Sequence, residues 1–289
     1  MRKPAIVCLA ASIVTIKKYI PLALKQHARE LQQQIRLLNA RYYCPVCESR
    51  VAAFLPLPDF FRDNLYKYQF PFEASDAETC NAAAYLCPSC SATDRDRLYA
   101  LYIGHYIANI GRTAPVDIVD FAPSAPLSAL IRRLIASSGT ALRYRTADLL
   151  AENVDDRVDI SDLRSYESDQ FTFFICSHVL EHVPDDRRAM RELHRILTPG
   201  GQGILMVPIV LSVEQIDEDP GITDAGERWR RFGQFDHVRL YSKSGFLSRV
   251  REAGFDVCQL GKDYFGEELF NRTGITKQSV LYVVEKRQV

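Results

Sequence analysis

This sequence lacks a net charge of either sign, since its 36 Lys and Arg residues equal its 36 Asp and Glu residues over 289 positions. Without a surplus of basic residues the chain has no general affinity for polyanions, so nucleic acid is not an expected partner. Internal repeats and low-complexity tracts are also missing. The length leaves room for one full α/β domain and a small extra module.

A long hydrophobic run is missing as well. The apolar stretch 4–16 follows a basic start, like that of a signal peptide, but Lys17 and Lys18 interrupt it before it is long enough to cross a bilayer. No convincing small-residue cleavage site follows. A secreted protein is therefore not expected. The predicted location is the cytoplasm, and contact with the inner membrane face stays open.

Charge is unevenly distributed along the chain. Residues 1–43 hold eight Lys and Arg residues against the single acid Glu30. After Pro21, apolar residues recur at three- and four-residue steps, which predicts a basic amphipathic helical arm over 1–40. The hypotheses for this arm are peripheral contact with a membrane, pairing in a homodimer, or contact with an acidic partner. The alternative is a solvated helix that packs on its own domain.

Four of the eight cysteines form two CPxC pairs, Cys44 with Cys47 and Cys87 with Cys90. Each pair turns two thiolates toward one point, and two pairs complete a tetrahedral Zn²⁺ site, so a zinc-binding module is predicted over 41–95. Four thiolate ligands leave no open position, which makes this zinc structural. Unligated cysteines or a disulfide are the alternative.

The other cysteines carry weaker signals. Cys80 lies close enough in sequence to replace a zinc ligand, but its isolated position makes it a weak candidate. Cys8, Cys176 and Cys258 are predicted to be ordinary buried thiols.

From Val116 onward, strand patterns alternate with helix patterns. Such alternation predicts a doubly wound, mostly parallel α/β sheet, with the last two strands as an antiparallel edge pair. The stretch 211–241 is polar and has no strong periodicity. Strands are predicted at 116–121, 142–146, 157–160, 171–176, 203–209, 255–260 and 279–285, and helices at 127–135, from Pro184 to a stop at Pro199-Gly200-Gly201, and at 244–253.

Polar residues stand where the predicted strands end. Asp120 closes the first strand, Asp148 follows the second and Asp159 lies in the third. Ser177 and His178 follow the fourth. Because ligands of open α/β sheets lie over the carboxyl ends of the strands, these side chains are candidates for one site. A solvated carboxylate or a helix cap is the alternative for each acid.

Residues 171–208, FTFFICSHVLEHVPDDRRAMRELHRILTPGGQGILMVP, resemble the stretch from the fourth to the fifth strand of class I S-adenosylmethionine-dependent methyltransferases. They resemble most a bacterial branch in which HVLEHVPDD recurs and two CPxC pairs often precede the domain. The likeness covers about 41–285 and is specific for fold and cofactor, not for substrate. It implies a seven-stranded sheet, a small N-terminal zinc-binding module and a cofactor-binding domain over 96–289.

The same resemblance assigns roles along the strand ends. It implies that Asp120 and the loop 121–126 after the first strand face the methionine end of the cofactor. It also implies that Asp148 accepts hydrogen bonds from the ribose and that Asp159 meets the adenine. The first loop lacks the usual glycine, and Ala122 is its smallest side chain at the closest approach. A site that has lost the cofactor is the alternative. The candidate cofactor-binding residues are Asp120, Phe121, Ala122, Pro123, Ser124, Asp148, Leu149, Asp159, Ile160, Ser177 and His178.

Methyl transfer from a sulfonium is an in-line displacement, and a hydroxyl acceptor benefits from a base that takes its proton. Imidazole titrates near neutral pH, so histidines are the natural candidates. Glu181 either caps the next helix or orients a neighbour. In the polar run 231–241, Asp236 and Arg239 either face the acceptor or form a local salt bridge. The candidate catalytic bases are His178, His182 and His237.

These features predict a methyltransferase that uses S-adenosylmethionine and carries a structural Zn²⁺. The first hypothesis is O-methylation of a small molecule or glycan, because the stretch 211–241 can close over a discrete acceptor. The second is a zinc-dependent binding or regulatory protein whose fold no longer turns over. The third is an RNA or protein methyltransferase that docks through the zinc module and the basic helix. A lipid-linked glycan at the membrane face would reconcile the basic arm with the first hypothesis.

Overall fold

The computed structural model describes residues 40–109, 116–139 and 141–288. The prediction for the basic arm, and Cys8 with it, lies outside the described residues except at position 40. The helices are α1 (Asp59–Lys67), α2 (Asp94–Asn109), α3 (Ala125–Ser138), α4 (Asp186–Ile196), α5 (Ala225–Phe232), α6 (Lys243–Glu252), α7 (Lys262–Phe265) and α8 (Glu267–Thr273). The strands are β1 (Tyr42–Tyr43), β2 (Arg50–Val51), β3 (Val116–Phe121), β4 (Leu142–Asp148), β5 (Asp156–Arg157), β6 (Phe171–Ser177), β7 (Leu197–Met206), β8 (Asp217–Glu218), β9 (Arg239–Leu240), β10 (Phe255–Leu260) and β11 (Leu281–Lys286).

A seven-stranded sheet forms the centre of the described chain, in the spatial order β10-β11-β7-β6-β3-β4-β5. The five strands from β7 to β5 in this order pair in parallel. β11 runs antiparallel to its two neighbours, β7 and β10. The predicted mostly parallel sheet is therefore confirmed. The last two strands do pair antiparallel, but only β10 is an edge strand and β11 lies inside the sheet.

Side-chain caps mark where several of the helices begin. Ser124 Oγ accepts a hydrogen bond from the backbone N of Leu127 at the start of α3. Asp185, Asp224 and Ser242 do the same for α4, α5 and α6. Each cap satisfies a backbone N–H that has no partner inside the helix. None of the helices in the described ranges is long and apolar enough to cross a membrane.

The boundary between α4 and β7 differs from the sequence prediction. The helix ends at Ile196, and the strand begins at once and continues through Pro199-Gly200-Gly201, which the sequence indicates only as a helix stop. Gly200 has φ of +76°, which a residue without Cβ adopts easily. The pairing register with β6 shifts between Phe171 and Phe173. A bulge thus lets a glycine-rich turn sequence remain within the sheet.

The third predicted strand is shorter than expected. β5 covers only Asp156–Arg157, although the sequence indicates a strand over 157–160. The Asp159 carboxylate accepts hydrogen bonds from the backbone N and the hydroxyl of Ser161, at 2.8 and 2.7 Å. This local turn competes with strand pairing and ends it early.

The segment 211–241 contains regular structure that its sequence does not predict, with α5 lying between the paired strands β8 and β9. Buried Arg239 anchors the segment. Its guanidinium donates to the carbonyl of Leu180 at 2.5 Å and lies 3.1 Å from the Glu218 carboxylate. Glu218 also accepts a hydrogen bond from Arg249 of α6 at 2.6 Å. The segment is thereby fixed beside the end of β6.

Arg97, on the first turns of α2, joins the cysteine-rich region to the C-terminal part of the domain. Its side chain is fully buried and its guanidinium carbon lies 3.8 Å from the centre of the Phe54 ring. Backbone carbonyls take up its donors, so the buried cation is solvated by peptide dipoles. These acceptors are the carbonyl oxygens of Thr273, Tyr85, Ala92, Ala84 and Gly274.

Replacing Arg97 by lysine is expected to lower the free energy of unfolding by about 3 kcal/mol, because three ammonium donors cannot reach acceptors that surround a planar guanidinium. Urea unfolding of the full chain measures this value. Arg62→Lys on the exposed face of α1 is the matched control and should stay within about 0.5 kcal/mol of the parent. Equal stability of the two variants would show that Arg97 does not hold these parts together.

Candidate functional site

The four cysteines of the CPxC pairs converge on one point. Their four Sγ atoms all lie within 4.8 Å of one another. Cys44 Sγ is 3.8 Å from Cys90 Sγ, and Cys47 Sγ is 3.8 Å from Cys87 Sγ. All four are free thiols in the structure. A cluster of four thiols at these separations fits a tetrahedral zinc ion, and its donor set leaves no position for a substrate.

The turns formed by the two CPxC pairs, 44–47 and 87–90, which we call knuckles, share one backbone geometry. In each, the amide of the first cysteine donates across the turn: Cys44 N to Ser49 O at 2.9 Å and Cys87 N to Ala92 O at 2.8 Å. Four residues after that cysteine, Glu48 and Ser91 adopt φ of +59° and +62°. Two matched turns, 43 positions apart in the chain, therefore face each other across the thiol cluster.

The remaining described cysteines differ from one another. Cys176, inside β6, is buried as predicted. Cys258 is exposed, so the prediction of a buried thiol is wrong there; it lies on β10, at the sheet edge, where one face is open to solvent. Cys80 does not belong to the thiol cluster and lines a cavity instead.

A small cavity of about 150 Å³ lies at the carboxyl ends of β3 and β6; we call it the strand-end cavity. Five of the predicted cofactor-binding residues line it. Residues at the start of α2 and just before it complete its wall, and no motif in the sequence points to them. The predicted residues are Asp120, Ala122, Ser124, Ser177 and His178, and the added ones include Thr93, Arg95, Asp96 and Tyr99.

Hydrogen bonds connect the strand ends to α2 around this cavity. The hydroxyl groups of Tyr99 and Ser177 lie 2.7 Å apart. Ser124 Oγ donates to Asp96 Oδ1, also at 2.7 Å. Helix α2 therefore positions both the first loop and the end of β6, although it precedes the sheet in sequence.

The glycine-free first loop adopts a conformation that glycine would favour. Ala122 has φ of +52°, in the left-handed region. This conformation costs an alanine roughly 1 kcal/mol, and a β-branched side chain more. The loop then runs directly into α3 through the Ser124 cap. A small residue at 122, rather than glycine itself, is what this turn requires.

Asp120 is buried in the strand-end cavity and accepts a hydrogen bond from Tyr144 Oη at 2.6 Å. Burial raises the pKa of its carboxyl group to about 7, although the Tyr144 hydroxyl opposes the shift. In the unfolded chain the pKa is near 3.8. The folding cost of ionising Asp120 is therefore absent below pH 4, grows between pH 4 and 7, and is complete above pH 7.

Asp120→Asn is expected to stabilise the ligand-free protein at pH 8 by about 2–4 kcal/mol, and to change its stability little at pH 4, because the amide removes a buried charge. Urea unfolding at the two pH values tests this. Asp63→Asn, on the exposed face of α1, is the control. A gain of equal size at both pH values would contradict a buried ionising carboxyl group.

The residues predicted to meet ribose and adenine lie outside the cavity lining. Asp148 ends β4, and its Oδ1 accepts hydrogen bonds from the backbone N of Leu150 and Ala151 at 2.7 and 2.8 Å. Asp159 similarly caps its own turn, and Ile160 behind it is buried. Leu149 is 55% exposed and Phe121 is buried beneath the first loop. Their roles stay predictions, and so do those of Pro123 and the cavity-lining residues.

A second cavity of about 420 Å³ adjoins the first; we call it the outer cavity. Its lining is largely aromatic and aliphatic, and Cys80, Tyr85 and α5 contribute to it. His178 and Arg95 line both cavities. The aromatic contributors are Phe61, Phe70, Phe72, Tyr85 and Phe232, and the polar ones include Arg95, His178, Glu181, His182 and His237.

His178 stands where the two cavities meet, with φ of +56°. Its Nδ1 is 3.3 Å from Oε1 of Glu181, whose side chain is 1% exposed. Its Nε2 is buried and has no hydrogen-bond partner among the described residues. Burial and the nearby Arg95 cation lower the pKa of His178 to about 4. The imidazole is therefore neutral near pH 7, with Nδ1 toward a carboxylate and one nitrogen free to accept a proton.

The other two candidate bases lie beside the same carboxylate. His182 Nε2 is 4.0 Å from Glu181 Oε1, and its Nδ1 is 3.3 Å from Asp236 Oδ2. His237 Nδ1 donates to the carbonyl of Phe232 at 3.1 Å. Glu181 therefore lies beside three histidines, and within the described part of the chain neither of its carboxylate oxygens caps a helix.

The proposed salt bridge between Asp236 and Arg239 is not formed. Asp236 contacts His182, whereas Arg239 pairs with Glu218. Asp236 lies in the turn that follows α5, whereas Arg239 lies in β9, so the two side chains face different surroundings.

A family described as "Methyltransferase domain" matches residues 84–260. The chain is similar to ubiquinone biosynthesis O-methyltransferases: 36% identical over 96 residues to that of Pseudomonas aeruginosa strain PAO1, covering 32% of this chain and 35% of that one. For Pseudomonas syringae pv. tomato the identity is 31% over 91 residues, covering 32% and 34%. The chain thus spans about a third of the length of these curated relatives.

Solved structures are similar at lower identity. A putative methyltransferase from Bacillus halodurans is 18% identical with a TM-score of 0.38, covering 65% of this chain and 99% of that one. An O-methyltransferase family protein from Burkholderia thailandensis is 13% identical with a TM-score of 0.41, covering 68% and 57%.

Proposed function

The chain belongs to the methyltransferase domain family, and from this premise we propose that it transfers a methyl group from S-adenosylmethionine to a hydroxyl group of a small molecule or glycan. Its seven-stranded, mostly parallel sheet is the class I methyltransferase fold. The observation that carries the proposal is the position of His178, with an unpartnered Nε2, between the strand-end cavity and the outer cavity.

The strand-end cavity suits the methionine end of the cofactor. Arg95 offers a guanidinium for the carboxylate, and Asp120, when ionised, offers a countercharge for a cationic group. Asp148 ends β4, and Asp159 lies in the turn just after the neighbouring parallel strand β5, where the ribose and adenine would lie. Each still has carboxylate lone pairs beyond those used by its own turn.

The outer cavity suits the acceptor. Its aromatic side chains can stack on a flat ring, and a volume of about 420 Å³ fits a small molecule or one sugar unit of a glycan. The name of the curated relatives, O-methyltransferase, agrees with an oxygen acceptor.

S-adenosylmethionine supplies an activated methyl electrophile when it is bound. The protein aligns the acceptor oxygen with the methyl group and excludes water from the path between the cavities. As the bond between the acceptor oxygen and the methyl carbon forms, the methyl–sulfur bond would break with its electron pair left on sulfur, and Nε2 of His178 would take up the hydroxyl proton. Glu181 then stabilises the imidazolium through Nδ1, at 3.3 Å. Because the acceptor carries its own nucleophilic oxygen, no covalent link to the chain is needed.

We also propose that Cys44, Cys47, Cys87 and Cys90 hold a structural zinc ion. Their four thiols meet the required donor set and separation. The second knuckle leads directly into α2, which provides Arg95 and Tyr99 to the strand-end cavity. The zinc would thus support the cofactor site without touching the substrate.

The test is transfer of a labelled methyl group from S-adenosylmethionine to a panel of phenols, catechols and sugars, with products identified by mass spectrometry. The proposal expects labelling at an oxygen, and equal labelling by Cys258→Ser, a remote and exposed control. Labelling only at carbon or nitrogen would overturn it, and so would labelling confined to RNA or protein when these are offered in the same assay.

A further inference from the structure

We propose that Glu181, His182 and His237 form a second metal site, which binds a divalent transition-metal cation at the wall of the outer cavity. One ligand atom of each lies within 4.8 Å of the others. All three residues line the outer cavity. The site is separate from the thiol cluster and shares no residue with it.

The Glu181 carboxylate is the strongest indication of a missing cation. The residue is fully buried, and neither of its oxygens has a hydrogen-bond partner among the described residues. A buried carboxylate is costly unless a cation or hydrogen-bond donors compensate it. The nitrogens of His178 and His182 nearest to this carboxylate lie 3.3 and 4.0 Å from Oε1. A metal ion beside the carboxylate would supply the missing cation.

Each histidine of the set is held by its Nδ1 side. Asp236 Oδ2 lies 3.3 Å from His182 Nδ1, and the Phe232 carbonyl accepts from His237 Nδ1 at 3.1 Å. In neutral imidazole this arrangement fixes the proton on Nδ1 and leaves the Nε2 lone pair free, as in metal-binding histidines with an oxygen partner behind them. The ring centres are 4.7 Å apart and the planes are inclined by 81°, so the two imidazoles pack edge to face.

The backbone positions these ligands before any ion binds. Glu181 and His182 lie on the turn after β6, and His237 comes from the segment 211–241. Val238 N donates to Glu181 O at 2.9 Å, which joins the two stretches beside the ligands. The buried guanidinium of Arg239 holds the same turn through the Leu180 carbonyl.

Two imidazoles and one carboxylate select a borderline cation such as Zn²⁺ over Mg²⁺ or Ca²⁺, which prefer oxygen donors. Three protein ligands leave at least one position open, and the open side is the outer cavity. If the proposed function holds, the acceptor hydroxyl oxygen would occupy that position. Coordination would lower the pKa of the hydroxyl, and its proton would leave to His178.

The test begins with full-length protein that carries one zinc ion per chain, titrated calorimetrically with Zn²⁺ in the absence of other ligands. One further equivalent is expected to bind. His237→Gln should weaken this second equivalent by about 100-fold, and Asp236→Asn, which removes the support of His182, by about 10-fold. The control is His105→Gln on the exposed face of α2, which should bind like the parent.

Cobalt(II) substitution distinguishes the two sites. The thiol cluster gives strong thiolate-to-metal charge transfer, whereas the proposed site should add weaker absorption without it, and His237→Gln should remove only the second signal. Saturation at one metal ion per chain would overturn the proposal, as would a second equivalent unchanged in both His237→Gln and Asp236→Asn. These readouts need neither cofactor nor acceptor, so they fail or succeed independently of the proposed methyl transfer.

Discussion

Replacing His178 by glutamine is expected to lower kcat for methyl transfer to a hydroxyl acceptor by about 10²–10⁴-fold, the contribution typical of a positioned general base. The reason is geometric. His178 lines both cavities and its buried Nε2 lacks a partner, whereas its Nδ1 faces Glu181 at 3.3 Å. Glutamine keeps a similar length and polarity but cannot accept the proton. Single-turnover kinetics with saturating cofactor and acceptor measures the loss.

Cofactor binding by this variant should change by less than about 10-fold, because the residue contributes one of many contacts to the strand-end cavity. His178→Asn provides a second test, since asparagine tolerates the positive φ at this position. The control is His105→Gln, distant on α2, with activity equal to the parent. If both His178 variants retain more than about half of kcat, the base is another group.

If the four cysteines hold the proposed zinc ion, removing it is expected to unfold the described part of the module under conditions in which the central sheet stays folded. Structural zinc sites contribute about 10–16 kcal/mol of apparent binding free energy, which a region of this size cannot replace from its small core. The strands β1 and β2 each contain only two residues. Cys44→Ser should therefore lose amide protection in 41–57 and 84–93, measured by hydrogen exchange, while β3, β6 and β7 keep theirs.

Loss of the module should also weaken cofactor binding by at least about 10-fold, because Arg95 and Tyr99 stand on the first turns of α2, next to the second knuckle. Cys80→Ser is the matched control, since Cys80 lies outside the thiol cluster. Unchanged protection in 41–57 after complete metal removal would show that the thiols converge without needing an ion.

The central sheet could be predicted from the sequence because its strands are buried and their apolar runs are long. Phe171–Ser177 and Val116–Phe121 are examples in which the apolar pattern and the observed strand nearly coincide. Boundaries that depend on tertiary pairing were less predictable. The strand β7 extends through Pro199-Gly200-Gly201 because its neighbour β6 offers a partner, which local turn preference does not reveal.

The candidate site was predictable only in part, for a similar reason. Asp120, Ser177 and His178 follow parallel strands, so their proximity follows from the fold class. The contributions of Arg95 and Tyr99 could not be read in this way, because they depend on how α2 packs against the sheet. The sequence did contain one indication of where α2 begins, because the second CPxC pair, Cys87–Cys90, directly precedes it.

The convergence of Glu181, His182 and His237 was equally hidden. His237 lies in a segment without periodicity, and its position depends on Arg239, which reaches the turn after β6 through the carbonyl of Leu180. A buried arginine in a polar segment has no sequence signature that separates it from a solvated one. The sequence therefore offered three separate histidines as bases, whereas the structure places two of them with a carboxylate.

Calorimetric titration of the full chain, supplied with Zn²⁺, with S-adenosylmethionine and its demethylated product tests whether the strand ends hold a working cofactor site. The expected result is micromolar binding of both ligands, weakened by at least about 10-fold in Asp148→Ala and unchanged in Asp263→Ala, an exposed control on α7. Absence of binding by either ligand, or equal binding by the two variants, would contradict the assignment of this site.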